Sequence, residues 1–183
     1  MIPRDEYLDN LISFKDKRLI KVVTGVRRCG KSTLFELYQD YLLAHGVEAG
    51  QIISVNLEAG EFADIADDRA LYDYVNARLD GGRMNYIFLD EVQRVEGFQK
   101  AVDALYIKKN CDVYITGSNA YLLSGELATL LSGRYVEIKM LPLSFKEYAA
   151  ARGENVAPER LYQDYIHNSS FPYALELNRP KDV

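Results

Sequence analysis

The chain has 183 residues, the size of one domain or slightly more. Hydrophobic residues make up 48% of it, enough for a packed core and too many for a disordered segment. Its 22 basic and 27 acidic residues leave a net charge of −5, which argues against a domain wrapped in positive potential for nucleic acid, though not against a local basic patch.

In chain order, Tyr7, Leu8, Leu11 and Ile12 recur at helical spacing within residues 4–13. A charged turn, Lys15 to Arg18, leads into Leu19-Ile20-Lys21-Val22-Val23-Thr24, which reads as a buried strand. Gly25-Val26-Arg27-Arg28-Cys29-Gly30-Lys31-Ser32-Thr33 follows. A helix is then predicted from Thr33 to His45, with Leu34, Leu37, Tyr38, Tyr41 and Leu42 at helical spacing and His45-Gly46 as its stop. Gln51 to Leu57 reads as a second strand and acidic Glu58 to Asp68 as a loop. Arg69 to Leu79 is a helix broken by Gly81-Gly82, and Asn85 to Leu89 is the third strand. Phe98, Ala101, Val102 and Leu105 mark a helix, Asp112 to Thr116 a fourth strand, Ala120 to Leu131 a helix and Arg134 to Met140 a fifth strand. Alternating strands and helices imply a parallel sheet covered on both faces. From Leu141 onward only helices are predicted, at Ser144 to Ala151, Pro158 to Asn168 and from near Pro172. The last of these has no evident packing partner, so the sequence is expected to be the front part of a longer protein. The division expected is a core over 1–141 and a helical segment over 142–183.

The glycine-rich stretch matches G-x-x-x-x-G-K-[ST], and its place between a strand and a helix gives the match its weight. Phosphate oxygens need backbone N–H groups close by. Gly25 and Gly30 let the backbone approach, and the helix start adds free amides and a positive dipole end. Residues Gly25, Val26, Arg27, Arg28, Cys29, Gly30, Lys31, Ser32 and Thr33 would form the cradle. Lys31 would reach the β- and γ-phosphates, and Ser32 would take a place on Mg²⁺. Arg27 and Arg28 would meet phosphate, meet a neighbouring subunit or pair with the acidic loop. Cys29 is either a reactive thiol favoured by loop amides or a small residue suited to a tight turn.

Tyr86-Ile87-Phe88-Leu89-Asp90-Glu91 runs four apolar residues into two carboxylates. Asp90 at the strand tip would hold Mg²⁺, directly or through water, and Glu91 would activate water for attack on the γ-phosphate. Asp90-Glu91-Val92-Gln93 lacks the glycine expected in GTPases, and no Asn-Lys-x-Asp element is present, so ATP is the expected nucleotide. After Val113 to Thr116, Ser118 or Asn119 would sense the γ-phosphate or cap the next helix. Arg134, in Ser132-Gly133-Arg134, would stabilise transition-state charge in cis or across a subunit interface, or would be a surface ion-pair partner.

Two cysteines without metal-ligand spacing point to a reducing compartment and no zinc site. No apolar run is long enough to span a bilayer, and Pro3-Arg4-Asp5-Glu6 does not read as a leader, so a cytoplasmic location without membrane contact is expected. His45 and His167 lack ligand partners in sequence, and the fourteen tyrosines fall largely on apolar stripes as core and rim.

As a set, these motifs resemble the AAA+ superfamily, and more closely a group of prokaryotic ATPases that carry a C-terminal domain of unknown function. The resemblance rests on residues 23–33, on Phe88 to Gln93, Thr116-Gly117-Ser118 and Ser132-Gly133-Arg134, and on Leu141-Pro142-Leu143-Ser144-Phe145-Lys146-Glu147-Tyr148. It implies a three-layer α/β/α P-loop fold with a five-stranded parallel sheet in the order 5-1-4-3-2, followed by the start of a small helical region. It implies that Asp90 and Glu91 are the Walker B pair, that Ser118 or Asn119 is a sensor and that Arg134 is a sensor or finger arginine. Where members often carry a glycine pair before Phe-Pro, this chain has Ser169-Ser170 before Phe171-Pro172. The expected function is a Mg²⁺-dependent ATPase, slow alone and coupled to an unidentified effector domain or protein partner, binding ATP and ADP and self-associating through AAA+-type interfaces. The alternatives are a nucleotide-gated interaction module with little turnover and, without support from the charge, a DNA-associated ATPase.

Overall fold

The computed structural model describes residues 2–118, 131–152, 157–167 and 169–175. Five strands, β1 (Ile20–Gly25), β2 (Ile52–Asn56), β3 (Asn85–Asp90), β4 (Cys111–Ser118) and β5 (Tyr135–Met140), form one parallel sheet in the order β2-β3-β4-β1-β5. This is the expected order, seen from the opposite edge. β1 and β3 are buried along their whole length, as sheet strands covered on both faces must be.

Side chains alternate between two layers. Ile87 and Leu89 point to the layer of α3 (Asp68–Asn76) and α4 (Phe98–Ile107), while Tyr86 and Phe88 point to that of α1 (Asp5–Ser13) and α2 (Lys31–Ala44). In the second layer Tyr38, Phe88 and Tyr114 pack ring against ring, so these tyrosines are core residues as expected. Under them lies a buried ion pair between Lys21 and Asp112. Tyr114 Oη donates to Asp112 Oδ2 at 2.8 Å and the Asp16 N–H donates to the same oxygen at 2.9 Å, which ties the turn after α1 to the sheet.

Element boundaries shift by one to three residues. The second helix begins at Lys31 rather than Thr33, because Gly30, at φ +102°, turns the chain directly into it. Of the helix expected over 120–131, residues 120–130 lie outside the described residues.

Beyond β5, α5 (Phe145–Arg152), α6 (Pro158–His167) and a 3₁₀ turn (Pro172–Leu175) gather around Leu143, Tyr148 and Leu161. The piece after Pro172 is therefore not without a partner. Its described part is a single 3₁₀ turn, with Ala174 buried and Leu175 packed on this third cluster. The turn before it is made without the glycine pair: the Leu143 N–H donates to the Ser170 carbonyl at 2.8 Å. Among the described residues no helix is long and apolar enough to cross a membrane.

Candidate functional site

The loop from Gly25 to Gly30 leaves the C-terminal end of β1 and enters α2. A Cβ on Gly25 would sit 2.5 Å from the Met140 carbonyl oxygen and 2.8 Å from Cys29 Sγ, so only glycine fits. No side chain caps α2, which leaves its first N–H groups for a ligand. Lys31 is buried at 4% exposure. Among the described residues its ammonium has only long contacts, 3.4 Å to the Gly25 carbonyl, 3.3 Å to the Val26 carbonyl and 3.5 Å to Glu91 Oε1. A buried cation so loosely held is ready to take an anion. A cleft of about 480 Å³ opens here, lined by Arg27, Arg28, Lys31, Ser32, Glu58 and Glu91 among others.

Cys29 is fully buried, and burial pushes its thiol pKa up against the pull of Lys31 and Arg4. It is the small loop residue of the two alternatives, not a reactive thiol. Arg27 pairs with Glu58 at 2.5 Å, and the same Glu58 oxygen holds Arg94 at 2.9 Å. Arg28 sits at φ +66° on the cleft wall.

β3 ends at Asp90. Glu91 then turns out of the strand at φ +56°, a left-handed conformation that costs a non-glycine residue about 1 kcal/mol. Two contacts offset this. The Glu91 N–H donates to Thr116 Oγ1 at 3.0 Å, and the Thr116 hydroxyl donates to Asp90 Oδ1. Thr116 thus fixes both carboxylate residues from β4, a role invisible in sequence except as a hydroxyl at a strand end. Glu91 reaches the cleft, whereas Asp90 stays 7% exposed behind it and would act on an ion through water. Among the described residues no three acidic, histidine or cysteine side chains gather to hold a metal alone. One serine, one carboxylate and phosphate oxygens are instead the donor set that suits Mg²⁺.

The register places Ser118 beside Gly25, so the end of β4 meets the loop; Asn119 lies outside the described residues. Arg134 does not join the site. It precedes β5, whose Met140 pairs with Gly25, so it stands about 20 Å away at the other ends of the strands. There it pairs with Asp103 and lies over the Tyr106 ring.

Arg4 carries no motif, yet it is 3% exposed and holds three elements at once. It donates to the Cys29 carbonyl in the loop at 3.0 Å and to the Leu141 carbonyl after β5 at 2.7 Å. Its Nε lies 2.8 Å from Glu147 Oε1 in α5, an ion pair with the N–H poorly aligned. Arg4 also lines a second cleft of about 460 Å³, with Ile2, Thr33, Ala151, Pro172 and Leu175. The two clefts share Gly30, Thr33 and Pro172.

A family model described as an AAA domain matches residues 17–149. The chain is 45% identical, over 184 residues, to an uncharacterized protein of Haemophilus influenzae, covering 98% of this chain and 46% of that one. It therefore spans about half the length of this curated relative. Its fold is similar to that of the Walker-type ATPase PabY2304 of Pyrococcus abyssi (TM-score 0.57, 17% identity, 96% of this chain and 65% of that one). It is also similar to AMPPCP-bound DnaA from Aquifex aeolicus (TM-score 0.61, 13% identity, 93% and 57%). With a glycine loop between a strand and a helix, a strand-end carboxylate pair and the matched family model, the chain belongs to the AAA domain family of P-loop AAA+ proteins.

Proposed function

We propose that this chain binds ATP with Mg²⁺ and hydrolyses it to ADP and phosphate, driving a partner or effector domain. The observation that carries this is the loosely held Lys31 beside Glu91 in a cleft at an uncapped helix start. The N–H groups of Gly30 to Thr33 and the Lys31 ammonium would bind the phosphates. Ser32 and Asp90 would hold the ion, whose chemistry is to neutralise charge developing on the phosphate oxygens. Glu91 would take a proton from the attacking water. Ser118 or Asn119 would read the γ-phosphate from the end of β4. The second cleft, partly apolar and continuous with the first, would seat the base. Residues 142–183 would begin a lid, because Pro172 lines both clefts and Tyr173 the first. That contact also favours a second reading, a nucleotide-gated switch: filling the clefts would move the helical segment whether or not turnover follows.

Labelled ATP titrated into the protein with Mg²⁺ tests the first statement. Lys31→Ala should abolish binding, and unchanged affinity would sink it. Glu91→Gln should keep binding and stop turnover. ATP-dependent self-association without measurable turnover would leave the switch as the function.

A further inference from the structure

We propose that Gln93 is a positioning residue for the hydrolytic water, acting through Glu91. This rests on the role of Glu91 given above and names the residue that sets its carboxylate. Glu91 is followed by a 3₁₀ turn (Val92–Arg94), pinned by buried Val92 and Val95. The turn carries the Gln93 carboxamide back to Glu91, where Nε2 donates to Oε2 at 2.5 Å. The other carboxylate oxygen, Oε1, lies 3.5 Å from the Lys31 ammonium. An incoming triphosphate would draw Lys31 away to its own oxygens, and Gln93 would then be the contact still holding the Glu91 carboxylate.

The other end of the same amide is the second observation. Gln93 Oε1 is buried and has no hydrogen-bond partner among the described residues. A glutamine serving only to brace the turn would be expected to satisfy both ends, because a buried orphan acceptor costs stability. The amide is therefore kept for its donor end, which holds the Glu91 carboxylate. In the step itself the water oxygen bonds to the γ-phosphorus. The bond from that phosphorus to the β–γ bridging oxygen breaks, its electron pair stays on ADP, and the released proton passes to Glu91. Gln93 gains and loses no proton. It holds Glu91 through Nε2.

The test is single-turnover hydrolysis of labelled ATP, with binding measured separately. Gln93→Met keeps the length of the side chain and removes donor and acceptor. Gln93→Glu keeps the shape and replaces the donor by a second carboxylate. Both should slow turnover by about 10- to 100-fold, the scale of a misplaced base, with KM and ATP affinity within about twofold of wild type. In the Glu91→Gln background, whatever residual single-turnover rate remains should fall no further with Gln93→Met, because the group it positions is gone. A Gln93→Met protein that turns over at the wild-type rate while Glu91→Gln is dead would overturn the role of Gln93 and leave that of Glu91 standing. A further full loss in the double variant would also overturn it. Wild-type turnover in Glu91→Gln would remove the base and this inference together. Where Gln93→Met folds poorly, Gln93→Glu decides: wild-type turnover with an altered melting temperature would make the residue structural.

Discussion

Arg4→Met removes a cation that no sequence motif announces, and its cost can be worked from its partners. Hydrogen bonds to a charged group contribute about 1.5–3 kcal/mol each, and stripping one partner from a buried ion pair costs about 3–5 kcal/mol. Arg4 is 3% exposed, but Glu147 keeps 18% of its side chain in water and can rehydrate. The lower end applies, about 3 kcal/mol, equal to a fall in Tm of about 6–12 °C for a chain of this size. Methionine refills most of the volume, so the loss reports the polar contacts rather than a cavity. Glu147→Gln, which leaves an acceptor in place, should cost about 1 kcal/mol. Urea unfolding with an unchanged slope is the assay. The Cys29 carbonyl would also lose its anchor at 3.0 Å, so ATP should stabilise the variant less than the wild type. A loss below about 1 kcal/mol in Arg4→Met, with nucleotide stabilisation intact, would refute the view that this residue joins the phosphate loop to the C-terminal helices.

Three further outcomes are expected. Asp112→Asn leaves Lys21 charged and buried without its partner and should cost about 3–5 kcal/mol, while Lys21→Met with Asp112→Asn should cost at least about 2 kcal/mol less than the sum of the single changes; additivity would show the pair to be uncoupled. Burial pushes the Cys111 thiol up to about 11, so at pH 7.5 its labelling by a disulfide reagent should run about 100-fold slower than in the urea-unfolded chain and should speed up about tenfold per pH unit; equal rates in the two states would contradict the burial. Arg134→Ala removes a half-exposed pair with Asp103 and should cost no more than about 1 kcal/mol, and a turnover defect should appear only where copies associate, so mixing Arg134→Ala with Glu91→Gln subunits should restore activity at mixed interfaces. Loss of turnover in dilute, monomeric Arg134→Ala would mean that the residue acts within its own chain.

The strand-loop-helix turn was legible because each of its parts is a residue type with one physical use at that spacing. Glycine stands where a Cβ would strike the Met140 carbonyl, a lysine follows, and a hydroxyl opens a helix. The strands were legible for a similar reason: Tyr86 to Leu89 and Ile20 to Val23 are apolar on both faces, as a covered parallel sheet requires. Thr116, Gln93 and Arg4 were not legible, because their roles depend on partners 25, 2 and 25 residues away on separate elements or turns. Nothing in local periodicity says that a threonine on β4 bonds both Asp90 and the Glu91 backbone. Arg4 reads as an ordinary polar residue ahead of an amphipathic helix until β5 and α5 close over it.

The two ends of the sheet divide the charged residues by kind of work. At the C-terminal ends stand Lys31, Asp90 and Glu91, where Lys31 has long contacts, Asp90 is held through a single hydroxyl and Glu91 through one side-chain amide. At the N-terminal ends stand Lys21, Asp112 and Arg134, where each is already matched to a protein partner. A parallel sheet enforces this split, since every strand points the same way and every β-to-α loop opens on one side. Arg134 belongs to the second group by position, about 20 Å from its own phosphate loop. If it stabilises charge on a nucleotide, that nucleotide sits in another copy. The pairing with Asp103 is then a resting contact, half exposed and weak enough for a neighbour's phosphate to displace.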